Sequence, residues 1–434
     1  MSLAEESSVD FRINKVRKED KAFHDWYRFV LSFPPHLVKD YLKKFNIQEN
    51  DLVLDPFTGT GTTLIESKLN GFNSIGIEAN PIIKHITQTK LKWNGGDTRK
   101  LMDTALDISN EVTKIFKRQG INDKIPDTKN SKFKFLDLPP ESKKILLTNS
   151  ISPLPLHKVL TLLNKIKNID NEIKDYLIVA FLKTVIKDMS NLRFGPEIGL
   201  GKIREDASLL ESWLGNVVRI NDDLDSIRDR NITSEASVIL GDSRNVHQYI
   251  LPKSISAVIT SPPYPNEKDY SRTTRLENVL LGFINNKEEL RQIKKTFVRS
   301  NTRSVYKEDE DHKYILHLKS ITNIAQQIEQ RRLDLGKNSG FEKMYSKVTL
   351  QYFGGMSRHL SNLRVSLKKG AKLVYVVGDQ ASYLRVMIKT GELLAQIAES
   401  QGYKVVDLEL FRTRFSTASK EELREEALIL EWNG

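Results

Sequence analysis

One short stretch near the start constrains the fold of this chain more than any other feature. Asp51-Leu52-Val53-Leu54 is a compact apolar run. The turn Asp55-Pro56-Phe57-Thr58-Gly59-Thr60-Gly61-Thr62-Thr63 follows, then an amphipathic stretch to Asn70 and a second apolar run, Ser74–Glu78. Strand, loop, helix and strand in that order are the opening of a doubly wound α/β sheet. Gly59 and Gly61 permit positive φ and let a ligand reach the main chain. Thr62 or Thr63 is placed to cap the following helix, whose first N–H groups are free. The third glycine of a dinucleotide loop is missing, and no Gly-Lys-Ser/Thr follows as a phosphate loop would need. Glu78 ends the second strand, where a carboxylate can accept from both hydroxyls of a ribose.

A second motif lies far downstream. Ala257–Thr260 reads as a strand, and Ser261-Pro262-Pro263-Tyr264 leaves it. Neither proline has an N–H, so the exit is stiff and its carbonyls stay out of the ladder. Ser261 adds a hydroxyl acceptor and Tyr264 a flat face for a base, with Tyr270 a weaker candidate for stacking. Such a clamp suits an exocyclic amino nitrogen, whose lone pair is delocalised into its ring. Two acceptors gripping the amino hydrogens free that lone pair, and no covalent intermediate is needed. The chain has no cysteine. That excludes disulfides, thiolate metal sites and methylation at cytosine C5 through a thiolate adduct. Its eight histidines show no ligand spacing, so no metal is expected.

Together the two motifs resemble the DNA amino-methyltransferases acting on cytosine N4 or adenine N6. Asp-Pro-Phe-x-Gly-x-Gly-Thr-Thr looks like that family's cofactor motif, and Phe33-Pro34-Pro35-His36-Leu37-Val38 like the segment before it. The resemblance implies S-adenosylmethionine as cofactor. Phe33 and Pro34 would pack on its methionine end, Asp55 would face its ammonium, and Phe57, Thr58, Gly59, Gly61 and Thr62 would flank the methionyl and ribose parts. Glu78 would hold the ribose, and Asp242, in Leu240-Gly241-Asp242-Ser243, would lie near the adenine amino group. Ser261, Pro262, Pro263 and Tyr264 would be the catalytic clamp on a flipped base. Serine at the first clamp position goes mainly with cytosine N4 in this family. The resemblance further implies double-stranded DNA as partner and a cognate restriction endonuclease system. Adenine N6, a tRNA guanine or adenine amino group, and a catalytically silent cofactor-binding module in a nucleic-acid complex remain open alternatives. The cofactor loop comes before the clamp here, the reverse of many Ser-Pro-Pro-Tyr enzymes, so target-recognition residues do not transfer by position.

Charge agrees with a polyanionic partner: 67 Lys and Arg stand against 56 Asp and Glu, a net of +11. Arg291–Lys307 holds Arg291, Lys294, Lys295, Arg299, Arg303 and Lys307 without an acid, and Phe297 and Tyr306 interleave. Lys294, Lys295, Arg299 and Arg303 are therefore candidates for phosphate contacts, with a solvated helix face as the alternative. No run is long enough to span a bilayer and the N-terminus is polar, so a cytoplasmic protein without membrane association is expected.

The rest of the pattern gives an α/β, Rossmann-like methyltransferase sheet built from discontinuous pieces. Residues 1–20 are charged and expected to be loose. A helix is expected over His36–Phe45 with Pro35 early in it. Residues 1–96 form the first part of the catalytic domain. Residues 97–235 read as a helical insertion with periodic stretches Leu156–Ile166, Ile173–Met189 and Ala207–Ile227, a polar break at Gln119–Lys134 and a loop at Asn191–Pro196. Strands return at Ser237–Leu240 and Ala257–Thr260 within 236–270. A charged insertion, 271–345, is a further candidate for DNA contacts. Residues 346–434 return to the sheet: a helix over 346–368, a strand Leu373–Val377, a helix Ser382–Ser400, and a closing hairpin of Tyr403–Leu410 and Ala427–Trp432.

Overall fold

The structure, a computed structural model, describes residues 20–27, 33–93, 97–124, 134–195, 197–266, 268–416 and 421–434. Almost all of the stretch expected to be loose, and the middle of the polar break, lie outside the described residues, as does Pro196.

Strands β1 (Leu52–Asp55), β2 (Asn73–Glu78), β5 (Ala236–Leu240), β6 (Ile255–Thr260), β7 (Leu367–Gly378), β8 (Lys404–Ser416) and β9 (Glu421–Trp432) form a seven-stranded sheet in the order β5-β2-β1-β6-β7-β9-β8. Pairing is parallel from β5 to β7, whereas β9 runs antiparallel between β7 and β8. The order reverses between β1 and β6, which opens a crevice at the carboxyl ends of the strands. Both faces are covered, as a parallel sheet requires. Alternate residues of β7 show it: Leu373, Tyr375 and Val377 enter one core cluster, Val374 and Val376 another. The first face carries helices Tyr345–Leu363 and Thr390–Ser400, and the second carries helix Pro35–Lys44.

A third core cluster joins helices Thr62–Leu69 and Pro81–Lys90 of the sheet layer to the long helices Thr98–Arg118, Pro153–Lys167, Lys174–Thr184 and Leu210–Ile227. The periodic stretches expected to be helical are helical, except that the one expected from Ala207 starts at Leu210, and Ile173–Met189 ends in a π turn, Val185–Met189. The expected loop at Asn191–Pro196 instead contains β3 (Leu192–Phe194), paired antiparallel with β4 (Ile198–Leu200). Two expected helices are too long. Leu367 already opens β7, ending the helix expected over 346–368, and residues 382–389 form turns with positive φ at Leu384 and Arg385. The closing hairpin is longer than expected on both arms.

Candidate functional site

The cofactor loop is tied down from several sides. Asp55 is fully buried at the end of β1. Its Oδ1 accepts from the Phe57 N–H at 3.0 Å and the Thr260 hydroxyl at 2.6 Å. Its Oδ2 has no hydrogen-bond partner among the described residues. Burial pushes the Asp55 carboxyl up to about 6 against those bonds. The Thr58 hydroxyl donates to the Asp55 carbonyl, and the Thr58 N–H to that of Ile77, which joins the loop to β2. Glu78 Oε2 accepts from the Gly59 N–H at 2.9 Å and Oε1 from the Asn80 N–H at 2.8 Å. Burial raises Glu78 to about 7, and the two N–H groups oppose that rise.

The two glycines serve different ends. Gly61, at φ +86°, is itself the N-cap, and a Cβ there would lie 2.7 Å from Thr87 Cγ2, against the next helix. Gly59, at φ +51°, has no atom nearer than the Phe57 carbonyl at 4.0 Å to meet such a Cβ. Neither Thr62 nor Thr63 caps the helix with its side chain, contrary to expectation. Because Gly61 leads in through the left-handed region, Thr63 is free to donate to the Ile259 carbonyl at 3.0 Å and lock the helix to β6.

The clamp leaves β6 beside this loop. The Ser261 hydroxyl donates to the Val376 carbonyl at 2.9 Å, which leaves its two lone pairs as acceptor sites, with the Tyr264 hydroxyl in hydrogen-bonding reach. The Tyr264 N–H donates to the Tyr270 hydroxyl, and the Tyr264 ring packs over Gly378. Burial raises the phenol pKa of Tyr264 well above its ordinary range. Both motifs open onto one cavity of about 400 Å³. Its walls include Phe33, Pro34, Phe57, Thr58, Gly59, Thr62, Glu78, Ser261, Pro262, Pro263 and Tyr264.

Asp55, Gly61 and Asp242 stand outside that wall. Asp242 differs from expectation for a clear reason: Arg244 holds both its carboxylate oxygens, at 2.7–3.1 Å, and Arg244 also pairs with Asp311. Its neighbour Ser243 reaches the cavity instead. Sequence reasoning passed over Thr296, Val298, Phe411, Arg412 and Glu425, which also line the wall, and noted Phe297 only as part of the basic stretch. It also passed over His359, which stands edge-on to Phe57 with ring centroids 5.0 Å apart. His359 bridges the Ser243 carbonyl and the Tyr375 hydroxyl at 2.7 Å each, and burial lowers its pKa to about 4, so it braces the loop as a neutral ring.

The four basic candidates separate into two kinds. Lys294 is buried and reaches the Arg303 carbonyl at 2.6 Å and Asp269 at 3.3 Å. Arg299 is 3% exposed, forks onto Asp309 at 2.7 and 2.9 Å, and donates to the Lys294 and Lys295 carbonyls. These two are built into the fold, and the expectation that they face phosphates is corrected. Lys295 and Arg303 are partly exposed, with surface partners in Glu308 and Glu197.

Comparison with known proteins points to the same family as the motifs. A sequence model of the N6 and N4 methylases, described as DNA methylase, matches residues 8–89, which span the cofactor loop. The Type II methyltransferase M.BsoBI of Geobacillus stearothermophilus is 26% identical over 95% of this chain and 84% of its own length. M.AvaI, a Type II methyltransferase of Nostoc sp., is 23% identical over 95% of this chain and 85% of its own. The chain is thus similar to the DNA amino-methyltransferases across its cofactor loop and to Type II methyltransferases over nearly its whole length. A shorter likeness, 34% identity over 25% of this chain and 20% of the relative, links it to the Type II methyltransferase M.MjaII of Methanocaldococcus jannaschii. Among the described residues, no helix is long and apolar enough to cross a membrane.

Proposed function

We propose that this methyltransferase acts on the N4 amino group of cytosine in double-stranded DNA, with the base flipped into the cavity. The observation that carries the reading is Ser261. Its proton is committed to the Val376 carbonyl, which leaves an acceptor beside the Pro262 carbonyl. Two acceptors on the amino hydrogens turn the nitrogen lone pair out of the ring, and Tyr264 supplies the stacking face.

S-adenosylmethionine fits the loop side of the cavity. Gly59 leaves the main chain open there, Glu78 stands at the end of β2 with its acceptors facing loop N–H groups, and Asp55 Oδ2 lacks a donor. In this reading Phe33, Pro34, Phe57, Thr58 and Thr62 hold the cofactor, with Gly59 and Gly61 shaping the turn. When bound, the cofactor supplies an activated methyl group on a sulfonium sulfur. The chain contributes position: Glu78 orients the ribose, and Ser261 and the Pro262 carbonyl fix the amino nitrogen. We read 97–235 and 271–345 as the insertions that give the sheet its DNA surface, and a cognate restriction endonuclease as the companion of this activity.

Tritiated cofactor, offered with unmethylated DNA or with tRNA, followed by digestion and nucleoside analysis, tests the reading. Labelled N4-methylcytosine in DNA is the expected product, and Ser261→Ala is expected to lower the transfer rate while leaving cofactor affinity unchanged. N6-methyladenine would sink the base assignment, and label confined to tRNA would sink the substrate.

A further inference from the structure

The cavity has a charged part to its wall, supplied by the closing hairpin. Arg412 of β8 and Glu425 of β9 are register partners, and both line the cavity. Successive residues of a regular strand point to opposite faces. Here the register shifts between Leu410 and Arg412, and with that bulge Phe411 and Arg412 both reach the cavity. Glu425 and Tyr264 converge on Gly378: a Cβ on that glycine would lie 3.3 Å from Glu425 Cγ and 3.3 Å from Tyr264 Cε2. The charged pair therefore stands beside the face proposed for the base.

The pairing is one-sided. Glu425 Oε2 accepts from Arg412 Nε at 2.7 Å, and Oε1 accepts from Nη2. Nη1 has no partner among the described residues. A guanidinium has five N–H donors in one plane. Glu425 occupies the side edge, and the end edge, two parallel N–H groups on Nη1 and Nη2, stays available. About a third of the Arg412 side chain is exposed, 36%, so that edge is open to a ligand.

We infer that Arg412, held by Glu425, reads the ring edge of the flipped base and selects cytosine. This rests on the cytosine N4 reading above. Next to its amino group cytosine carries N3 and then O2, adjacent acceptors that match the fork of an arginine end edge. Adenine offers one acceptor beside its amino group and then a C–H, so half of the fork would find no acceptor on the base. A site built to donate discriminates against a ligand that leaves its donors empty. Glu425 is a positioning residue in this scheme. It fixes the plane of the guanidinium before the base arrives, and no part of the transfer passes through it.

The test uses the full chain, tritiated cofactor and unmethylated plasmid DNA. Arg412→Lys keeps the charge and removes the fork. It is expected to bind cofactor within about twofold of the original and to lower transfer to cytosine about ten- to a hundredfold. The ratio of N6-methyladenine to N4-methylcytosine is expected to rise. Glu425→Gln is expected to lower transfer less, and to add nothing once Arg412 is replaced. An unchanged rate and product ratio in Arg412→Lys overturns the inference while leaving the N4 reading intact. Equal losses of cofactor affinity and transfer would mark a purely structural role and also overturn it. An original protein that makes only N6-methyladenine overturns both, and the product analysis of the unaltered chain identifies that case before any variant is compared.

Discussion

Glu78 is the residue whose ionisation is most exposed to experiment. Its ordinary pKa is 4.5, and burial lifts it to about 7 in the folded chain. Between those values the native state holds a proton that the unfolded chain has lost. The sign follows directly: Glu78 contributes stability that is fully present at low pH and is lost as pH rises through about 7. In the proposed reading a ribose diol donates to the carboxylate, so binding would favour the ionised form and expel the proton below that pH. Cofactor affinity is therefore expected to rise with pH up to about 7 and then level off. Glu78→Gln should bind more weakly and lose that slope. Calorimetry across the range checks it, and a slope that persists in Glu78→Gln assigns the proton to another group.

At the scale of single elements, the helix Lys287–Lys295 and the turns after it show why a charge run is a poor guide to a surface. Arg291–Lys307 lacks acids, yet its partners come from elsewhere: Asp269 for Lys294, Asp309 for Arg299 and Glu308 for Lys295. Removing one side of a buried pair strands the other, at a cost of about 3–5 kcal/mol. Arg299→Ala is expected to lower the unfolding free energy by that order, read as a lower urea midpoint. Neutralising Lys295 and Arg303 together should leave the midpoint nearly unchanged and flatten the salt dependence of DNA binding. An unchanged salt slope in that double variant would remove this element from the DNA surface. The same contrast explains how much the sequence revealed. The order of β1, the cofactor loop and β2 was legible because glycine and strand chemistry are local. So were the long helices, whose apolar periodicity is local too. The bulge at Phe411 and the Arg244–Asp311 pair beside Asp242 were not, because each is settled by contacts across the fold. In the cavity wall, the loop and clamp could be read from their own residues, whereas Thr296, Phe297, Arg412 and Glu425 come from distant segments that only the fold brings together.

The whole molecule is joined by a short N-terminal arm, residues 20–27, that touches several layers at once. Trp26 is 2% exposed, and its Nε1–H and the Phe23 N–H both donate to Asp223 Oδ2, at 2.7 and 2.8 Å, on helix Leu210–Ile227. His24 bonds Glu66 of helix Thr62–Leu69 at 2.7 Å, and the Tyr27 hydroxyl donates to Glu277 of helix Arg275–Leu281. The fully buried Lys90 completes the connection. Its ammonium donates to the Tyr27 carbonyl at 3.0 Å and to the Thr60 carbonyl of the cofactor loop at 3.1 Å. The arm thus connects the helical core to the cofactor loop through one cation. Trp26→Ala removes a large side chain from the shared core and is expected to cost about 3–5 kcal/mol. Because the loop hangs on the same lysine, cofactor affinity should fall as well, and saturating cofactor should restore part of the lost stability by mass action. Urea unfolding with and without cofactor decides this. A midpoint unmoved by Trp26→Ala would show that the arm is not part of the shared core. A lowered midpoint with unaltered cofactor affinity would show that the loop holds its shape without it.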